Sequence, residues 1–90
     1  MAAIMIVKAN VESYDHWRSA FDQRHSFRKE HGVTGEEVYC SPEDMTVVLV
    51  LEYFDTLEQA KSFAGSPDLA SAMKASGVIG APHIRVVEVD

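Results

Sequence analysis

The order of periodic segments in this chain predicts an α+β fold of the β-α-β-β-α-β kind, a four-stranded antiparallel sheet with its helices on one face. Three observations carry that expectation. Apolar, β-branched runs at 3–11, 33–40, 45–54 and 83–89 read as strands. Helical stretches with recognisable starts and stops separate the first strand from the second and the third from the fourth. The length of 90 residues suits one domain spanning the chain, because so short a chain cannot fill two cores.

Each element has its own justification. In the first strand Lys8 and Asn10 fall on one parity and mark the wetter face. Ser13 is placed to cap a helix running to about His31, with Asp15 in the first turn and Gly32 just beyond the end. Val33 to Cys40 alternates roughly and reads as the second strand. Ser41-Pro42-Glu43-Asp44 is turn chemistry, so the third strand, Met45 to Phe54, closes a hairpin with it. Thr56-Leu57-Glu58-Gln59 has capping-box form and opens a helix through Phe63. Ser66-Pro67 restarts helix through about Ser76, with proline at the first helical position. Gly77 to Pro82 reads as a loop, and His83 to Val89 as the fourth strand.

Composition narrows the class. Hydrophobic residues make up 47% and charged residues 24%, ordinary for a globular protein. No run approaches the ~20 apolar residues of a membrane span, and the first residues lack the basic region and cleavage site of a signal peptide, so a cytoplasmic location is expected. A net charge of −6 argues against nucleic acid, whose phosphates reward clustered Lys and Arg. The lone cysteine, Cys40, has no partner for an intrachain disulfide and reads as a small free thiol on a strand. Val47 to Leu51 is apolar on both parities, which calls for burial of both sheet faces. Helices cover only one, leaving Ile4, Ile6 and half of the third strand for a second copy, hence an expected homodimer joined through the sheets. Whether Val48 and Val50 lie on the outward parity is open at this level.

On a helical wheel Tyr14, Trp17, Ala20, Phe21 and Phe27 form an apolar arc, with Arg24 near its centre and Arg28 and His31 close by. A buried arginine needs an acceptor, so either its stem packs while the head reaches water, or it holds an anionic ligand group. His16, His25 and His31 never fall at i,i+4, so no zinc pair is expected on that helix. His83 and Arg85 share a strand parity that should face the dimer or a cavity mouth. His83 is the candidate for proton transfer, with an ordinary hydrogen-bonded surface histidine as the other reading. Glu36-Glu37 reads as a solvated strand end.

The element order, the length, and the run Ser66-Pro67-Asp68-Leu69-Ala70-Ser71-Ala72-Met73-Lys74-Ala75-Ser76-Gly77-Val78 followed by Gly80-Ala81-Pro82 resemble the ferredoxin-like dimeric α+β barrel superfamily, in its antibiotic biosynthesis monooxygenase-like branch. That resemblance implies a pocket between helices and sheet that holds an electron-rich aromatic substrate without a cofactor. By residue type Trp17, Tyr53 and Arg24 are the counterparts of the residues beside such a substrate. Asn10 could occupy the place of the asparagine near the end of the first strand in the heme-degrading members. Those members also use a heme-ligating histidine on the C-terminal helical segment, and 63–76 contains none, so neither heme nor another cofactor is expected. The function implied is a homodimer binding a small aromatic molecule, a cofactor-free monooxygenase-like or cyclase-like enzyme on an aromatic or polyketide-like substrate. Trp17 and Phe21 would stack, His83 or Arg24 would handle charge, and Asn10, Tyr53 and Arg85 would complete the binding set. The alternative is a non-catalytic ligand-binding or stress-related dimer.

Overall fold

The computed structural model describes every residue from Met1 to Asp90. The elements are β1 Ala3–Val11, α1 Tyr14–Gln23, α2 His25–Glu30, β2 Val33–Cys40, β3 Val47–Phe54, α3 Leu57–Ala64, α4 Pro67–Ala75 and β4 Val78–Glu88. The strands pair antiparallel in the order β2-β3-β1-β4, so β1 and β3 are central. This is the α+β, ferredoxin-like arrangement that the sequence predicts. No helix is long and apolar enough to cross a membrane.

Period-two alternation sorts the sheet into two faces. On β1, Ala3, Met5, Val7, Ala9 and Val11 are buried under the helices, while Lys8 and Asn10 are exposed on the other side. On β3, the buried set is Val48, Val50, Glu52 and Phe54. Val48 and Val50 therefore point into the core, and the residues that leave the open face apolar are Ile4, Ile6, Leu49 and Leu51. Leu49 remains 36% exposed there and Val87, on β4, 42%. Beneath the helices Phe54 and Phe63 pack with ring centroids 5.9 Å apart, and Phe27 continues the row at 5.7 Å from Phe63.

Side chains close the helix starts as the sequence implies. Ser13 accepts from the His16 amide, Thr56 from Gln59 and Ser66 from Asp68. Gly32, at φ 98°, takes the left-handed position after α2 that a Cβ would oppose.

Besides the start of β3, which is Val47 and not Met45, two elements differ from the sequence reading. The long first helix is two helices, broken at Arg24, where no glycine or proline forces a break. The backbone amide of Arg24 turns to the Phe21 carbonyl at 3.1 Å, and the Arg24 guanidinium takes the Ala20 carbonyl at 3.3 Å instead. Arg28 Nη1 donates to the Phe21 carbonyl at 2.6 Å. Arginine side chains thus satisfy carbonyls that the interrupted ladder frees. The second difference lies in β4, which begins at Val78 and not at His83. Its pairing with β1 shifts between Lys8 and Asn10, so the stretch from Gly80 to Pro82 bulges opposite Ala9. Gly80 supplies the positive φ of 67° that such a bulge needs, and Pro82 is tolerated because β4 is an edge strand. Glycine and proline in this run therefore mark a bulge within a strand.

A third correction concerns Glu36, which is no solvated strand end. Arg28, 5% exposed, reaches from α2 to β2 and donates through Nε to Glu36 Oε2 at 2.6 Å and through Nη2 to Oε1 at 3.0 Å. Burial pushes the Glu36 carboxyl up, but the hydrogen bonds and charges of Arg28 and His25 outweigh it and hold it below 4.5. The stability this pair contributes is therefore full above that value and disappears as pH falls through the lowered one. Glu36→Ala, which strands the buried guanidinium, should cost about 3 to 5 kcal/mol in urea unfolding. Arg28→Met should cost less, because it removes the buried charge and leaves the more accessible partner. A cost below about 1 kcal/mol for both substitutions, the scale of an exposed ion pair, would show that the pair does not tie α2 to the sheet.

Candidate functional site

Small side chains open a space between the helices and the sheet. Ala9 on β1, Ala20 on α1 and Ala72 on α4 all line it, where a longer residue at any one position would fill it. The resulting cavity has a volume of about 60 Å³. Its floor is Val48, Val50 and Glu52 of β3 with Val7 of β1, and Leu69 and Met73 close it from α4. Trp17 and Phe21 form an aromatic wall, with centroids 5.1 Å apart and planes at 33°. A cavity that takes up benzene measures ~150 Å³, so an aromatic occupant requires outward movement of flexible wall groups such as Met73 or Arg24.

One end of the cavity is charged. Arg24 and Arg28 line it, and the Arg28 guanidinium carbon lies 3.6 Å from the centroid of the Phe21 ring, a cation–π contact. Strand pairing sets Glu36 directly opposite Glu52. Arg28 spends its hydrogen bonds on Glu36 and on the Phe21 carbonyl, and Glu52 Oε2 is buried with no partner. Burial pushes the Glu52 carboxyl up to about 7, a rise that the charge of Arg28 opposes and the charge of Glu36 reinforces. An apolar, aromatic-walled space with an arginine rim and a carboxyl that titrates near neutrality can stack a ring, balance a negative charge and exchange a proton.

The sequence-derived candidates divide between the two faces of the sheet. Trp17, Phe21 and Arg24 meet at the cavity. Asn10, Tyr53, His83 and Arg85 belong to the open-face parity: His83 pairs with Lys8, Arg85 with Ile6 and Tyr53 with Ile4, while Asn10 pairs with Val47. They do not join Trp17 and Arg24 around one ligand within a single chain. Tyr53 instead donates its phenol to Glu37, which also accepts from Tyr39 at 2.6 Å. Those two phenols hold the Glu37 carboxyl below its ordinary range, Tyr39 being the larger cause. Sequence reasoning passed over Glu52, although its core-facing parity beside Val48 and Val50 was a readable signal. No group of three or more His, Cys, Asp or Glu is placed to hold a metal ion.

Comparison with known proteins agrees with this architecture. A Bordetella bronchiseptica protein of the antibiotic biosynthesis monooxygenase type superposes with a TM-score of 0.81 at 14% identity, covering 99% of this chain and 97% of that one. SnoaB, a cofactor-independent oxygenase from Streptomyces nogalater, gives 0.78 at 10% identity, with 99% and 93% covered. Rv0793 from Mycobacterium tuberculosis gives 0.69 at 15% identity, with 99% and 95% covered. At such identities the likeness speaks for the fold alone. None of the curated proteins matches the sequence. Residues 1–75, most of the chain, match the family profile itself, and the chain therefore belongs to the antibiotic biosynthesis monooxygenase family.

Proposed function

We propose that the helix–sheet cavity binds a small aromatic or polyketide-like molecule, and that the protein acts on it as a cofactor-independent monooxygenase-like or cyclase-like enzyme. The observation that carries this reading is the aromatic wall of Trp17 and Phe21 in a cavity that Arg24 also lines. Membership of the antibiotic biosynthesis monooxygenase family supports it, as does the fold shared with SnoaB, a cofactor-independent oxygenase. Oxygenation without a cofactor requires the substrate to supply the electrons for dioxygen, which favours an electron-rich ring held as its anion. Trp17 and Phe21 would fix the plane of that ring, Arg24 would balance the anionic oxygen, and the apolar floor would exclude water.

The same reading includes a homodimer formed through the open faces of two sheets. Ile4, Ile6, Leu49, Leu51 and Val87 form the apolar surface that supports it, since two sheets can stack at about 10 Å with such side chains interleaved. His83 and Arg85, on that same face, would then lie at the junction of the subunits, where a role in binding depends on the second copy.

Two substitutions test these statements. Arg24→Met keeps the stem volume, and the bond it removes is a single one to the Ala20 carbonyl, so folding should survive. Binding of small anionic or phenolic aromatics, followed by thermal shift and then calorimetry, should weaken by about 1.5 to 3 kcal/mol, the scale of a charged hydrogen bond. Unchanged binding would remove Arg24 from the site. Leu51→Lys places a charge in the middle of the open face. Sedimentation equilibrium should find the native protein at twice the 10.0 kDa of the chain and the variant at the chain mass. A native protein that sediments as a monomer at micromolar concentration would overturn the dimer.

A further inference from the structure

Glu52 is the one polar group of the cavity floor that its surroundings leave unmatched. It is 3% exposed, and its Oε2 has no hydrogen-bond partner. Buried acceptors of this kind are costly and uncommon, so the carboxyl has a standing demand for a donor. No side chain around it donates to it. Arg28 directs three of its five N–H groups to Glu36 and the Phe21 carbonyl and none to Glu52, and the residue facing Glu52 across β1 is Met5. Arg24, Arg28 and Glu52 are the ionisable groups of the cavity lining, and α4 contributes none. Glu36 adds its charge from β2, and His25 sits 3.5 Å beyond it.

Building on the reading of this cavity as a ring-binding site, we infer that Glu52 is its proton acceptor, taking the proton of an acidic hydroxyl carried by the bound ring. The ligand class is then phenols and enols, in preference to hydrocarbons or ethers of the same shape. In the transfer the ligand O–H bond breaks and its electron pair stays on the ligand oxygen. A new O–H bond forms on the Glu52 carboxylate, which becomes neutral as the ligand becomes an anion. The negative charge thus moves from the floor to the ring, in a space whose rim carries the Arg24 guanidinium. A carboxyl that titrates at about 7 is half ionised near neutrality and is a stronger base than an exposed glutamate.

Phenol and anisole, the smallest ring pair differing only in the hydroxyl proton, separate this inference from the reading beneath it. Calorimetry at about pH 8, where Glu52 is mostly ionised, should show native protein preferring phenol by about tenfold or more, the worth of a charged hydrogen bond. In Glu52→Gln and Glu52→Leu the preference should collapse while anisole still binds. If the preference is the same in native protein and both variants, Glu52 is not the acceptor, although the cavity still takes rings. If native protein binds neither compound, the cavity reading itself fails and the inference falls with it. A ligand-free measurement supplies the second check. The folded state holds the Glu52 proton to higher pH than the unfolded chain, so native stability should decline as pH rises from 4.5 to about 7, then level off. Glu52→Gln should lack that decline. Matching pH profiles for the two proteins would show that the carboxyl is not held protonated in a dry floor, and would overturn the inference.

Discussion

Arg28 carries a full charge into a layer of aromatic rings, and a charge so placed is tolerable only when its donors are matched where they stand. Glu36 answers two of them and the Phe21 carbonyl a third. The Phe21 carbonyl, at the break, accepts both the Arg24 amide and Arg28 Nη1, and Glu36 is in reach because β2 runs beneath α2. The helix break, the attachment of α2 to the sheet edge and the position of the Phe21 ring under the guanidinium are therefore one constraint expressed three times. The cavity wall inherits its geometry from that constraint, since Phe21 is both the platform for Arg28 and the stacking partner of Trp17.

The same pairing explains why Glu52 stands alone. Two carboxylates face each other across β2 and β3, and the one buried cation beside them bonds Glu36 and the Phe21 carbonyl and makes no bond to Glu52. Glu36, nearer to solvent and to His25, becomes the paired and ionised member. Glu52, deeper in the core, becomes the member whose proton is held. Two residues of one type, neighbours in the sheet, thus acquire opposite acid–base characters from their surroundings.

Much of the fold was legible because strand alternation and helix capping are local. β1 and β2 keep the bounds that their periodicity implies, and Ser13, Thr56 and Ser66 cap where the sequence places them. The unread parts depend on partners distant in the chain. Arg24 interrupts a helix without any helix-breaking residue, because the alternative acceptors it and Arg28 use are settled by tertiary packing. Gly80 and Pro82 look like a loop until β1 is present to pair with the residues around them. Around the cavity, the aromatic wheel of α1 groups Trp17, Phe21 and Arg24, which line one space in the structure. Tyr53 entered by residue type and Asn10 by its place near the end of β1, while the shared parity of His83 and Arg85 pointed to the dimer face or a cavity mouth; strand parity sets all four apart from that wheel. Glu52 could have been found by the rule that separates them, being a carboxylate in register with Val48, Val50 and Phe54.

The bulge in β4 also bears on aggregation. An edge strand offers a row of free amides and carbonyls to any extended segment that meets it, and a long, flat edge is a template for intermolecular sheet growth. β4 spans 11 residues, long enough to be such a template. Its row is interrupted between Ile79 and His83, where Gly80 bends the backbone and Pro82 has no amide to give. An incoming strand would lose its ladder partway along. At the opposite edge, Glu36 and Glu37 on β2 would set carboxylates beside any copy that added there. Both edges thus resist in-plane growth of the sheet.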